Sequence, residues 1–257
     1  MRILVTGAGS GIGRSLVEQL LTAGHQVLGA DRDVTGIPPG ATAIRADLTD
    51  PAQIAALVDQ AVMLDGLANV AGVPGTAPPE TVLRVNFLGT RRLTDALLPR
   101  LQRGAAVVNV ASLAGRRPVC DEDTAWRLQG AADEDIIGWA KEAGLSGSDA
   151  YDLSKKLLVT WTVATAAAQL SHGVRVCAVS PGPIETPIID DFRTSMGASV
   201  DGTVGIVGRL GRAEEVAAAA AFLLSPAASW VNGVDLELDG GLLAARAVAV
   251  RKDSCAH

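Results

Sequence analysis

Tyr151 and Lys155, in the stretch YDLSK, stand four positions apart, a separation that puts both side chains on one helical face about one turn apart. A free phenol ionises near pH ~10, so Tyr151 alone is a poor proton shuttle at neutral pH. A neighbouring ammonium, joined by the positive charge of an oxidised nicotinamide, is expected to favour the phenolate and bring its pKa toward the working range. The pair is equally readable as two side chains that merely share a helix face, although Tyr151 is the only Tyr in the chain. A second feature is VTGAGSGIG, which follows the first strand-like run. Glycines there let the backbone turn sharply and approach a pyrophosphate, whose charge suits the free N–H groups at a helix start. From Gly7 the sixth position is Ile12, so the pattern is T-G-x-x-x-G-x-G on Gly7, Gly11 and Gly13. Asp31 ends the next strand-like run. A carboxylate at that place accepts bonds from both ribose hydroxyls of an adenosine and repels a 2′-phosphate. NAD is therefore expected over NADP, with Arg32 and Arg14 as cations that would argue the other way.

These groups need a frame. Short apolar runs at 2–7, 26–31, 41–47, 66–72, 105–112, 174–182 and 234–241 read as buried strands. Candidate helices lie at 11–23, 51–62, 80–102, 152–171 and 213–224. Such alternation predicts one α/β domain over 1–257: a doubly wound, Rossmann-like parallel sheet of about seven strands with helices on both faces. Residues 113–150, 38 in all, separate Ser112 from Tyr151, more than a strand-to-helix turn needs. Within them 116–150 is acidic and has no strand-like run. It reads as a helical insertion, with Ala125, Trp126, Leu128, Ile136, Ile137, Trp139 and Ala140 spaced as inner faces of one or two amphipathic helices.

TGxxxGxG at 6–13, NVAG at 69–72, VNFLG at 85–89, Ser112, YDLSK at 151–155 and PGPIETP at 181–187 follow one another in an order that resembles the short-chain dehydrogenase/reductase family over almost the whole chain. The long segment before Tyr151 and the stretch SPAASWVNG most resemble its bacterial group containing 3α-hydroxysteroid dehydrogenase/carbonyl reductase and coniferyl-alcohol dehydrogenase. The resemblance implies Tyr151 as general acid/base and Ser112 as a donor to the same substrate oxygen. It implies that Lys155 lowers the Tyr pKa and holds the nicotinamide ribose, and that Asn86 positions a water in a proton relay. The alternative for Asn86 is a helix-interior side chain bonded to backbone. For the cofactor it implies Ser10 and Ile12 in the glycine loop, Asp47 and Leu48 at the adenine, and Asn69, Ala71 and Gly72 beside the adenosine ribose. Pro181, Gly182, Ile184 and Thr186 would meet the carboxamide. A bulky hydrophobic or aryl secondary alcohol and its ketone are the expected substrates. Leu113, Pro183, Ile188, Ile189, Phe192 and Met196 are candidate pocket residues, and 188–208 a candidate lid. Trp126 and Trp139 would either join that pocket or anchor the inserted helices. A small alicyclic or aromatic primary alcohol is an alternative substrate class. Family members commonly dimerise through helices around this site, so a homodimer or homotetramer is expected, with 116–150 either obstructing or extending the interface.

Composition limits the rival classes. The chain has net charge −6 and a pI near 5.1, and its basic residues run no longer than pairs such as Arg91-Arg92, Arg116-Arg117 and Arg251-Lys252, which does not suit a nucleic-acid surface. VAAAAAFLL at 216–224 is far shorter than the roughly 20 residues of a membrane span, and the N-terminus meets glycines too early for a signal-peptide core. A cytoplasmic protein is expected. Cys120, Cys177 and Cys255 show no paired spacing, and His25, His172 and His257 are scattered, so neither a disulfide framework nor a metal site is expected. No Ser sits in G-x-S-x-G, which argues against a serine hydrolase. The rival from another class is a catalytically silent NAD-binding regulator, which would not need Ser112, Tyr151, Lys155 and Asn86 together.

Overall fold

The computed structural model describes residues 1–186, Thr194 and residues 201–254. Its strands are β1 (Arg2–Thr6), β2 (Gln26–Asp31), β3 (Thr42–Arg45), β4 (Gly66–Asn69), β5 (Ala106–Val110), β6 (Arg175–Pro181), β7 (Ile184–Glu185), β8 (Gly211–Arg212) and β9 (Asp235–Leu238). Seven of them form a parallel sheet in the order β3-β2-β1-β4-β5-β6-β9, while β7 and β8 pair separately. Strand order reverses between β1 and β4, and it is at such a switch point, beyond the carboxyl ends of the strands, that open α/β sheets bind ligands. β5 and β6 are buried at every position, which explains why their sequences read as continuous apolar runs and not as alternating ones.

The helices are α1 (Gly11–Thr22), α2 (Pro51–Gln60), α3 (Pro79–Leu83), α4 (Thr90–Leu97), α5 (Glu122–Gln129), α6 (Asp133–Glu142), α7 (Gly147–Ala168), α8 (Ala213–Leu224) and α9 (Leu242–Ser254). On one face of the sheet Leu16, Val17 and Leu20 of α1 and Val216, Leu223 and Leu224 of α8 pack on Ile3, Val5 and Val108. On the other, Ile54, Leu57 and Leu93 pack on Leu4, Leu67 and Val107. No helix among the described residues is long and apolar enough to cross a membrane.

Two helices differ from the sequence expectation in ways that bear on the site. Residues 80–102 are not one helix: α3 passes into a π turn over Arg84–Gly89, then α4, then a 3₁₀ turn over Leu98–Arg100. Gly89 lies so close to the Leu48 carbonyl that a Cβ would come within 2.2 Å of it, and Pro99, which has no N–H to donate, stops the α-helical ladder. The helix carrying Tyr151 starts at Gly147, not at 152. Ser146 and Asp149 form a reciprocal capping box, with Asp149 N–H donating to Ser146 Oγ at 3.2 Å and Ser146 N–H donating to Asp149 Oδ2 at 3.1 Å. Tyr151 therefore sits inside a capped helix, its backbone already committed, and residues 147–150 belong to that helix.

The rest of the segment before Tyr151 forms α5 and α6, packed on α3, α4 and α7. Ala125, Leu128, Ile136, Ile137 and Ala140 are buried beside Val82, Phe87, Leu153, Leu157 and Trp161. Trp126 departs from the predicted inner face: it points outward and is 43% exposed, whereas Trp139 is partly buried against the cluster. The Arg91-Arg92 pair, a charged run in the sequence, has an internal use. Arg91 and Arg92 bind the two carboxylate oxygens of Asp133 at 2.6 and 2.5 Å, clamping the first turn of α6 onto α4.

Candidate active site

One cleft, about 650 Å³ in volume, runs from the glycine loop to the start of α7 and on to α9. At its first end the chain leaves β1 through Gly7, whose φ of +66° suits glycine, and whose missing side chain lets the backbone lie against Ala71. At Gly13 a Cβ would stand 2.1 Å from the Gly7 carbonyl oxygen, so the loop folds back on α1 only because that atom is absent. Ser10 precedes α1 without a side-chain cap, and no acidic residue occupies the first turn. The leading N–H groups of α1 are thus left for an anion in the cleft. Asp31 fastens the loop, accepting from Gly9 N–H at 2.9 Å and from Asp33 N–H at 3.2 Å. The residues present fit a dinucleotide: a glycine cradle that any Cβ would fill, bare helix N–H groups and a carboxylate at the end of β2.

The wall between β1 and β4 is tied down by two side chains. Thr6 Oγ1 accepts from Val70 and Ala71 N–H at 3.0 and 3.1 Å. Asn86, in the π turn, receives Val73 N–H on Oδ1 at 2.8 Å and donates Nδ2–H to the Val73 carbonyl at 3.0 Å. Asn86 is buried and does not line the cleft; besides the Val73 backbone, its Nδ2 donates to Ser154 Oγ at 3.4 Å. A Cβ on Gly72 would lie 3.3 Å from Asn86 Oδ1 and 3.9 Å from Lys155 Nζ, so Asn86 and Lys155 face each other across that glycine.

At the floor, Ser112 ends the segment after β5, and its Oγ accepts from Ala114 N–H at 3.2 Å while its hydroxyl also hydrogen-bonds the Tyr151 phenol. Tyr151 and Lys155 are both buried, with Lys155 Nζ 5.6 Å from the ring centroid and donating to the Val110 carbonyl at 2.9 Å. Burial pushes the Tyr151 phenol up to about 12, and the Ser112 bond opposes this only in part. Burial also pulls the Lys155 ammonium down to about 8. Lys155 does not bring the phenol toward neutrality in the protein alone, because its charge lies over the ring and desolvation acts on both groups. α7 is held against the sheet by a buried chain in which Asn69 Nδ2 donates to Thr94 Oγ1 and Asn109 Oδ1, and Asn109 Nδ2 donates to Thr162 Oγ1 on α7.

The cleft brings together Gly7, Ser10, Gly11, Ile12, Gly13, Asp31, Arg32, Asp47, Leu48, Ala71, Gly72, Ser112, Leu113, Tyr151, Lys155, Pro181, Gly182, Pro183, Ile184 and Thr186. Asn69 does not line the cleft: its Nδ2 donates into the buried chain to α4 and β5, so its side chain supports the wall beside the cleft. Trp126 and Trp139 do not reach the cleft either. Ile188, Ile189, Phe192 and Met196 lie outside the described residues, as does most of the candidate lid; of its described residues, 201–207 are helical and send Thr203 to the cleft. The lining also holds Arg116, Arg117, Leu242, Leu243 and Arg246, which sequence reasoning missed. Arg116-Arg117 stood out only as a basic pair, and nothing local to 242–246 signals that α9 reaches the cleft. Arg117 Nη1 lies 3.3 Å from Asp152 Oδ1. Burial raises the Asp152 carboxyl to about 6, with the Arg117 charge opposing.

Known proteins show the same arrangement of chain. A family model described as short chain dehydrogenase matches residues 1–122 and one described as Enoyl-(Acyl carrier protein) reductase matches 136–243. The chain is 35% identical to a coniferyl-alcohol dehydrogenase from Pseudomonas sp. (94% of this chain, 96% of that one). It is 34% identical to a 3-alpha-hydroxysteroid dehydrogenase/carbonyl reductase from Comamonas testosteroni (93% and 95%). The crystal structure of a 3-alpha-hydroxysteroid dehydrogenase from Pseudomonas sp. B-0831, complexed with NADH, superposes with a TM-score of 0.81 at 33% identity, covering 94% of this chain and 96% of that one.

Proposed function

The chain belongs to the short-chain dehydrogenase/reductase family of oxidoreductases, and we propose on that footing that it interconverts a bulky hydrophobic or aryl secondary alcohol and its ketone with NAD(H), using Tyr151 as general acid/base. The observation that carries the reading is the continuity of one cleft from the glycine cradle and Asp31 to the buried Ser112–Tyr151–Lys155 group.

The roles follow from the chemistry of these side chains. NAD, when bound, supplies the hydride acceptor and a positive ring that adds to the Lys155 charge. Gly7, Gly11, Gly13 and the start of α1 hold its pyrophosphate, and Asp31 selects a free ribose 2′-hydroxyl over a phosphate. Ser112 donates to the substrate oxygen, where negative charge grows as the carbonyl is reduced. The neutral Tyr151 phenol gives its proton to that oxygen in reduction and takes it back in oxidation. Lys155 and the loop fixed by Asn86 border the path by which Tyr151 exchanges protons with solvent. Leu113, Pro183 and Leu243 present apolar surface to the body of the substrate.

The test is incubation with NAD and a panel of hydroxysteroids, 1-arylethanols and aromatic primary alcohols, read by NADH absorbance, with NADP in parallel. Turnover of secondary alcohols with NAD at least tenfold preferred is expected. Binding of NADH without turnover of any alcohol would instead mark a silent regulator. The similarity to a coniferyl-alcohol dehydrogenase supports a second reading, an aromatic primary alcohol, which the same panel separates.

A further inference from the structure

Charge is unevenly distributed along the cleft. Among its described lining residues the only carboxylates, Asp31 and Asp47, stand with Arg32 at the glycine-loop end, while Arg116, Arg117 and Arg246 gather without any carboxylate at the other. That is unexpected in a chain of net charge −6. The three arginines come from the turn after Ser112 and from α9. Those segments meet where Gly182 passes: a Cβ there would lie 3.5 Å from Asp239 Cα and 3.8 Å from Leu113 Cδ1. Asp239 fixes the start of α9, accepting Gly241 N–H and Leu243 N–H at 2.8 Å each. On the helix so fixed, Arg246 follows Leu242 and Leu243 by four and three positions, the spacing of one face. Leu242 is buried, Leu243 half-buried and Arg246 exposed, so this face climbs from apolar floor to charged rim. Arg116 is held by Glu237 and Arg117 by Asp152. Among the described residues Arg246 has no acidic partner.

We infer that the substrate carries an oxyanion, such as a carboxylate, at the end remote from the reacting hydroxyl, and that Arg246 receives it at the rim while Leu242 and Leu243 contact the apolar body. The inference rests on the proposed alcohol dehydrogenase reading and adds a charge requirement to it. A planar guanidinium suits a carboxylate through paired hydrogen bonds, and positive potential at a cleft mouth also draws anions in from solution.

The test compares free acids with their methyl esters on two scaffolds, a 3α-hydroxysteroid with a side-chain carboxylate and a 1-arylethanol with a ring carboxylate. It uses the wild-type protein, Arg246→Gln and Arg246→Lys. For an exposed ion pair at an apolar wall the acid should exceed the ester in kcat/KM by roughly two- to fivefold. The ratio should fall close to one in Arg246→Gln and recover in part in Arg246→Lys, with the change in KM for the acid and not in KM for NAD. Esters used as well as acids, a ratio untouched by Arg246→Gln, or a change confined to KM for NAD overturns the inference while the dehydrogenase reading stands. If no form of either scaffold turns over, that reading fails for these substrates. The anion site is then judged by titrating the NADH-loaded protein with acids and esters by fluorescence, where equal binding overturns it.

Discussion

Replacing Lys155 by Met should stabilise the fold while abolishing catalysis. Lys155 is 5% exposed, and burial holds its ammonium at about 8 instead of 10.5. At about 1.4 kcal/mol per tenfold, such a depression opposes folding by about 3 kcal/mol at pH 7. Because the folded pKa lies below the unfolded one, the opposition is complete below pH 8 and fades as pH rises toward 10.5. Between pH 7 and 10 the wild-type protein should thus recover most of that cost, roughly 2–3 kcal/mol. Met has similar length and no charge, but it cannot donate to the Val110 carbonyl that Lys155 now bonds at 2.9 Å, a loss of about 1–2 kcal/mol. The net expectation is a variant more stable by about 1–2 kcal/mol at pH 7, worth about 3–6 °C in Tm for a chain of this size, with the advantage gone near pH 10. Urea unfolding of both proteins at the two pH values, with NADH turnover measured in parallel, checks it. A variant less stable than wild type at pH 7, or a difference that does not change with pH, would refute the account of Lys155 as a buried, strained charge. Retained turnover would refute its role in the site.

Three further outcomes follow from named contacts. Tyr151→Phe removes the proton donor but keeps the ring; turnover should fall by roughly 10²- to 10⁴-fold, with NADH affinity by fluorescence titration within about threefold of wild type. Gly13→Ala places a Cβ 2.1 Å from the Gly7 carbonyl oxygen, so backbone must move. Calorimetry should show a loss of at least about 1–3 kcal/mol, and NADH affinity should fall more than tenfold. In the helices before Tyr151, Ile136→Ala opens the core that α6 shares with α3 and should cost about 2–5 kcal/mol, whereas Trp126→Ala, at a position 43% exposed, should cost clearly less than Ile136→Ala by urea unfolding.

Much of the fold was legible because strand and helix periodicities survive wherever a parallel sheet is buried on both faces. The runs at 26–31 and 213–224 coincide with β2 and α8 to the residue. The helix starting at Gly147 was misplaced because its signal is not apolar periodicity but a Ser146–Asp149 cap, two polar residues that look like loop. The break at Arg84–Gly89 was invisible because a π turn depends on what lies across from it, here the Leu48 carbonyl against Gly89. Trp126 shows the limit of an amphipathic pattern: spacing says which residues share a face, but the docking of α6 through Asp133 onto Arg91 and Arg92 helps set how the inserted helices lie.

The sequence by itself determined the sheet, the glycine cradle, Asp31 at the end of β2, and the Tyr151–Lys155 pair on one helical face, because each is a relation between residues at short fixed spacing. Only the tertiary structure decided the rest. It placed Ser112 beside Tyr151, spent Asn69 and Asn86 on holding the wall, and turned Arg116, Arg117 and Arg246 into one rim. It also set the protonation balance: burial, which no spacing encodes, raises the phenol and lowers the ammonium at once. Neighbourhood across 38 intervening residues, and the water excluded from it, are properties of packing.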